Sequence, residues 1–342
     1  MRTPSRSLPA ALAALALALG LSAGSVSAAP AAAVPAASAA SAKKKVSFKK
    51  ADNGSAITAY KWVTKNKRQL DVSVRSKGLG GKTRKVRLLL PKGWKFKTKK
   101  TWPVVYLLHG GGDADYKSWT RSSQIGQLAA KWNAIVVLPE GANGSYTNWY
   151  NKGAGGPPEW ETFHMTEVFQ LMNRNMHTGT RRAVIGNSSG GQGAMTYAAR
   201  YPGRFKFVAA YSGLLSILSP GIPEALNTIN SPRTDPDLIY GDPVDDRANW
   251  EAHDPWSLAE SLRGTGIYFS TGSGMLLPSD AGLISEYFVG MSTMDFKKRL
   301  DALGIKYTAH IYSGGRHSWP FWKIELKRSW PKAMKAIKAR KY

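Results

Sequence analysis

Five short and almost wholly apolar runs punctuate this chain, at residues 104–108, 134–138, 183–185, 207–211 and 267–269. Each is too short for a buried helix and lacks the alternation of a strand with one wet face, so each reads as a strand covered on both sides. Between them lie segments of helix length at residues 123–132, 161–176, 192–201 and 293–303. Strand and helix in alternation predict an α/β fold with a mostly parallel central sheet and helices on both faces. A further strand is expected at 307–312, and an amphipathic helix over 322–342 that covers the sheet. Residues 230–253, rich in Pro and Asp and without a clear period, read as a long insertion that caps a substrate site.

The 342 residues, 43% of them hydrophobic, supply enough apolar surface for a proper core. One domain over residues 51–342 is expected, because single α/β domains reach this size. The absence of cysteine excludes disulfides, thiolate metal sites, iron–sulfur clusters and a cysteine nucleophile. Forty-eight Lys and Arg against 22 Asp and Glu give a net charge of +26, which attracts polyanions and anionic surfaces. No nucleic-acid-binding motif accompanies that charge, so no specific nucleic-acid partner is expected.

The first 28 residues read as a signal peptide. Arg2 and Arg6 precede a Leu/Ala run over residues 8–21, and Val26-Ser27-Ala28 supplies the small residues of a cleavage site. The run is too short to span a bilayer, where roughly 20 residues are needed. Residues 29–50 follow as a tether, first Ala, Pro and Ser and then Lys-rich from Lys43 to Lys50. The expected location is therefore outside the cell, with contact between the basic segment and an anionic cell wall or envelope, and no transmembrane helix in the mature protein.

The chemistry centres on Gly186-Asn187-Ser188-Ser189-Gly190, between a predicted strand and a predicted helix. In that context a Gly-x-Ser-x-Gly sequence forms a turn too sharp for side chains at the glycines, which leaves the serine hydroxyl projecting above the sheet. Ser188 is the expected nucleophile. It needs an imidazole base and a carboxylate that orients the imidazole. Of six histidines, His317 lies downstream in a Gly-rich loop after a strand, in the chain order the α/β-hydrolase fold requires, whereas His310 sits within that strand. His164, His177 and His253 fit the order and placement less well. Glu286 and Asp280 both follow the 266–271 strand closely enough to serve as the acid, with Asp295 a more distant third. His109-Gly110-Gly111-Gly112 follows the 104–108 strand, and the N–H groups of Gly111 and Ser189 are expected to hold an oxyanion. His109, Gly110, Gly112 and Trp319 are expected to bind substrate. Trp119, Trp149, Trp160 and Trp319 suggest an apolar or sugar-stacking cleft. No metal and no organic cofactor are implied.

Taken together, these residues resemble the secreted antigen 85 mycolyltransferases and the wider esterase family of α/β-hydrolases. Thr147-Asn148-Trp149-Tyr150, Trp160-Glu161-Thr162-Phe163, Ser212-Gly213-Leu214-Leu215 and His317-Ser318-Trp319-Pro320-Phe321-Trp322 carry the likeness beyond the serine motif. The resemblance favours Glu286 as the acid, because the mycolyltransferase glutamate stands ten residues before a phenylalanine and Glu286 stands ten before Phe296. It implies a serine esterase or acyltransferase acting on ester or acyl-sugar substrates. The acidic and arginine residues that the family associates with trehalose are replaced here by His109-Gly110-Gly111-Gly112. A non-catalytic envelope-binding protein is the contrasting reading, and it has no need of nucleophile, base, acid and oxyanion glycines together.

Overall fold

The computed structural model describes residues 46–112, 114–230, 235–275, 277 and 279–342. The expected signal peptide and most of the 29–50 tether lie outside the described residues.

Among the described residues nine strands form one sheet: β1 (Ala56–Trp62), β2 (Gln69–Arg75), β3 (Thr83–Leu89), β4 (Trp102–Leu108), β5 (Ile135–Pro139), β6 (Thr178–Asn187), β7 (Phe207–Tyr211), β8 (Gly266–Gly272) and β9 (Thr308–Tyr312). Their spatial order is β1-β2-β3-β5-β4-β6-β7-β8-β9. From β5 to β9 every pair is parallel, and β1, β2 and β3 extend the sheet antiparallel. All five apolar runs became strands. β4, β5 and β7 are buried at every position, as strands covered on both faces must be.

The antiparallel strands β1 to β3 were not expected from the sequence. In them Lys, Arg and Asp alternate with apolar residues: Leu70, Val72, Val74, Val86 and Leu88 are buried on one face, while on the other Arg75 and Lys85 are exposed and Arg87 is buried in an ion pair with Asp71. The charge of this region hides its period-two pattern.

Helices α1 (Ser118–Ser122), α2 (Ile125–Ala130), α3 (Phe169–Met176), α4 (Ser189–Arg200), α5 (Ile222–Asn230), α6 (Arg247–Glu251), α7 (Ala281–Ala302) and α8 (Trp319–Ala336) flank the sheet. A π-helical turn, Phe163–Val168, leads into α3. Alternate residues of β4 separate two cores. Val104, Tyr106 and Leu108 face Phe169, Met195 and Phe296, whereas Val105 and Leu107 face Ile125, Trp322 and Trp330. The expected C-terminal helix is α8, three residues earlier than its sequence placement. Residues 235–253 are not a structureless insertion: Ile239, Tyr240 and Trp250 close a small apolar cluster with Ile217.

His164 sits inside the first core, its Nε2 2.8 Å from the carbonyl of Glu140 and its Nδ1 3.0 Å from the Tyr197 hydroxyl. The ring is neutral, with Nε2 donating and Nδ1 accepting. Burial pushes this imidazole down to about 4 from an ordinary 6.5. Above pH 6.5 neither folded nor unfolded chain protonates it, and its full contribution is present; between 6.5 and 4 the unfolded chain takes up a proton that the fold refuses. Stability is expected to fall over that window by roughly 3 kcal/mol from this group. His253 adds to the slope, since burial and then Arg200 hold it low. Urea midpoints at pH 7 and pH 4.5 check this, and a flat profile contradicts it.

Candidate active site

The turn after β6 can close only because two positions lack side chains. A Cβ on Gly186 would lie 2.0 Å from the carbonyl oxygen of Gly190, and one on Gly190 would lie 2.4 Å from that of His109. Between them Ser188 adopts φ 54° and ψ −131°, a conformation that costs a non-glycine residue about 1–3 kcal/mol. The surroundings hold it there: the Ser188 N–H donates to Tyr211 O at 2.8 Å, and α4 begins at the next residue.

Ser188 Oγ stands 2.7 Å from His317 Nε2, and His317 Nδ1 stands 3.0 Å from Glu286 Oε2. The three residues come from the end of β6, the loop after β9 and the first turns of α7. The His317 backbone N–H donates to Gly282 O at 3.0 Å, and its ring meets Trp322 edge-to-face at 5.1 Å. Glu286 is fully buried, and its other oxygen, Oε1, accepts from the Gly272 N–H at 2.7 Å and from Ser212 Oγ at 2.8 Å. Burial alone pushes its carboxyl up, but the hydrogen bond and charge of His317, with the Gly272 and Ser212 donors, outweigh it and hold the group below its ordinary value. The carboxylate is therefore ionised at neutral pH.

The other carboxylates weighed from the sequence lie elsewhere. Asp280 caps α7, accepting from the N–H groups of Gly282 and Leu283, and pairs with Arg316. Asp295 bonds Ser219 Oγ at 2.8 Å. His310 pairs with Glu325 at 2.9 Å, a structural role.

Gly111 and Ser189 both line a cavity of about 460 Å³ in front of Ser188. Ser189 opens α4, where the first amides have no intrahelical acceptor. Gly110 packs so close to Ser188 that a Cβ there would lie 3.0 Å from Ser188 Cβ. Gly112 donates its N–H to Asn143 Oδ1 at 2.8 Å.

His109 does not reach the cavity, contrary to the substrate-binding role expected for it. It is buried, its Nε2 2.8 Å from the Gly141 amide, while Tyr146 OH donates to its carbonyl at 2.6 Å; it is a strut under the glycine loop. Gly110, Gly112 and Trp319 do line the cavity. Of the other tryptophans singled out, Trp119 and Trp160 are core residues, and Trp149 packs against the core.

The cavity lining includes the apolar side chains of Leu214, Ile222, Leu226, Phe288 and Val289. Of the 230–253 segment expected to cap the site, residues 231–234 lie outside the described residues and no described residue of 235–253 lines the cavity, whereas Leu214, Ile222, Ala225 and Leu226 do. Among the described residues no cluster of three or more His, Asp or Glu could hold a metal ion.

Sequence reasoning gave no role to Ser212 or Trp322 individually, though both fall in stretches it noted. Trp322 Nε1 donates to Ser212 Oγ at 3.0 Å, and Ser212 Oγ donates in turn to Glu286 Oε1 at 2.8 Å. No local pattern signals such a relay, because its members come from three distant segments. Ser212→Ala is expected to lower kcat about tenfold with KM unchanged, and to have no further effect when Glu286 is already Gln. Steady-state kinetics of the single and double variants checks this; additive losses contradict it.

Residues 76–333 match the family described as "Putative esterase". Esterase Rv1288 of Mycobacterium tuberculosis (strain ATCC 25618 / H37Rv) is 31% identical over 240 residues, which is 67% of this chain and 52% of that one. The chain thus spans about half the length of that relative. The diacylglycerol acyltransferase/mycolyltransferase Ag85A of Mycobacterium ulcerans is 30% identical over 251 residues, 67% of this chain and 72% of its own. The crystal structure of Mycobacterium tuberculosis MPT51 superposes with a TM-score of 0.62 at 25% identity, covering 75% of this chain and 94% of that one.

Proposed function

The chain belongs to that esterase family, and from this premise we infer that it is a serine hydrolase of carboxylic esters, able to pass the acyl group to water or to an alcohol. The observation that carries the reading is the unbroken line from Ser188 through His317 to Glu286, at 2.7 and 3.0 Å, opening on a cavity with apolar side chains in its lining.

In this reading Ser188 Oγ attacks the ester carbonyl carbon while its proton passes to His317 Nε2. Glu286 keeps the imidazole oriented with Nδ1–H towards it and stabilises the imidazolium. The N–H groups of Gly111 and Ser189 take the oxyanion of the tetrahedral intermediate. As the intermediate collapses, the alkoxide leaves with the proton from His317, and the acyl group remains on Ser188. Water or an alcohol, deprotonated by His317, then releases it. The apolar lining suits a hydrocarbon acyl chain, whereas the glycine loop offers no charged side chain for a sugar of the trehalose kind. The N-terminal pattern supports secretion, and among the described residues no helix is long and apolar enough to cross a membrane.

The test is to mix the protein with p-nitrophenyl esters of short and long chain, quench within one turnover and measure peptide masses. An acyl adduct on the Ser188 peptide is expected; turnover with the adduct on another residue, or with none, refutes the reading. Trehalose and glucose added to the same reaction decide the acceptor, since a sugar ester would show transfer and its absence hydrolysis.

A further inference from the structure

A parallel sheet has two unlike ends. The cleft lies at the carboxyl ends of β4 to β9, which we call the crown; the other end, where those strands begin, is the foot. The antiparallel strands obey the same geometry: β1 and β3 run downward, so the β1–β2 turn and the segment after β3 also lie at the foot. The two ends are about 20 Å apart, the length of a seven-residue strand at ~3.3 Å per residue.

Charge is divided between them very unevenly. The foot segments 63–68, 90–101, 131–134, 177–182, 202–206, 303–307 and 336–342 together hold seventeen Lys and Arg and no Asp or Glu, and the acids beside them, Glu260 before β8 and Asp301 before β9, are paired with Arg263 and Lys297. The sequence of the crown segments 76–82, 109–117, 140–159, 187–189, 212–221, 273–280 and 313–318 holds five cations and five acids. The C-terminal residues join the foot through contacts that fix their place: Asn133 N–H donates to Arg340 O at 2.9 Å, and Arg181 Nη1 donates to Lys338 O at 3.1 Å.

The most concentrated part is the strap that leads into β4. Trp94 and Phe96 lean inward and pack with Trp62, with ring centroids 4.9 to 6.3 Å apart, while the intervening Lys95 and Lys97, and then Lys99 and Lys100, are exposed. The aromatic cluster gives these lysines a rigid base. Among the described residues none of the four has an acidic partner within salt-bridge distance, and Lys100 instead lies over the Trp102 ring at 5.4 Å. So many cations on one surface repel one another and destabilise the fold unless an anion neutralises them.

We propose that the foot is a docking surface for a linear anionic polymer with closely spaced phosphate-type charges, which holds the protein with its cleft facing outward. A bilayer fits less well. In the foot segments only Val63 and Tyr342 are exposed large apolar residues, which leaves little to insert among lipid chains. The polymer reading is independent of the ester chemistry, because it rests on the opposite end of the sheet.

Fluorescently labelled inorganic polyphosphate is the probe, with anisotropy read across a salt series on the purified protein. Affinity is expected to fall linearly with the logarithm of salt concentration. Lys97→Glu/Lys99→Glu/Lys100→Glu should weaken binding at least tenfold and flatten the salt slope by about two. Lys338→Glu/Arg340→Glu/Lys341→Glu should do the same from a separate segment, so misfolding of one variant does not remove the test. Arg75→Glu/Lys77→Glu/Lys82→Glu, an equal charge reversal at the crown end of β2 and β3, should leave binding within twofold. Turnover of a small soluble ester should be unchanged in all three and with polymer bound. Equal weakening by the crown variant, inhibition of turnover by bound polymer, or tighter binding to phosphatidylglycerol vesicles or single-stranded DNA than to polyphosphate would each overturn the proposal.

Discussion

Ser188→Ala is expected to lower kcat/KM for a soluble p-nitrophenyl ester by about 10⁴-fold or more while leaving the fold intact. The alanine keeps the Cβ that the tight turn already accommodates, but it removes the hydroxyl oxygen placed 2.7 Å from His317 Nε2. Without that oxygen no covalent intermediate forms, and what remains is water attacking a carbonyl polarised by the backbone amides, which in comparable triads leaves a residual acceleration of roughly 10³–10⁴ over solution. The variant should still bind ester, so its KM or inhibition constant should stay within a few-fold of the parent. A loss of less than tenfold would mean that another residue carries the acyl group.

Glu286→Gln should cost about 10³–10⁴-fold in kcat with little change in KM. The amide is close in shape, so packing against Gly272 and Ser212 survives, but the charge that stabilises the imidazolium is gone. The amide NH₂ group can also face Nδ1 and turn the ring into the tautomer whose Nε2 carries a proton and cannot accept one from Ser188. Asp280→Asn is the companion measurement. Asp280 makes its bonds to the start of α7 and to Arg316, not to His317, so its loss should leave kcat within about threefold and lower stability by ~1 kcal/mol or less. Comparable losses of rate in the two variants would remove Glu286 from the assigned role.

The parallel half of the fold was legible because strands buried on both faces are continuous apolar runs, and burial is the one property that sequence displays directly. The first three strands were not, since Lys, Arg and Asp interrupt their apolar residues and break up any continuous apolar run. α7 was read as starting at residue 293 but begins at Ala281. Its first half hides the helical period because Ser285, Glu286, Gly290 and Ser292 face inward beside Ile284 and Val289. Spacing could not separate Asp280 from Glu286 for the same reason: both follow β8, and only the helix that starts between them turns one towards His317 and leaves the other as its cap. The serine turn was legible because its glycines are compulsory. The Ser212–Trp322 relay was not, because hydrogen bonds between distant segments leave no local trace.

α7 carries both Glu286 and, two and three residues later, the cavity-lining Phe288 and Val289. In the proposed mechanism the carboxylate that orients the imidazole and part of the cavity lining thus share one helix. If the proposed mechanism holds, a substrate too bulky for Phe288 is expected to disturb the helix that holds Glu286 and to lower turnover as well as affinity. Selectivity then shows in turnover number as much as in affinity. For redesign the lining residues are not equivalent: Leu226, on a separate helix, can be trimmed to widen the pocket without touching the proton relay, while the same change at Phe288 exchanges speed for breadth.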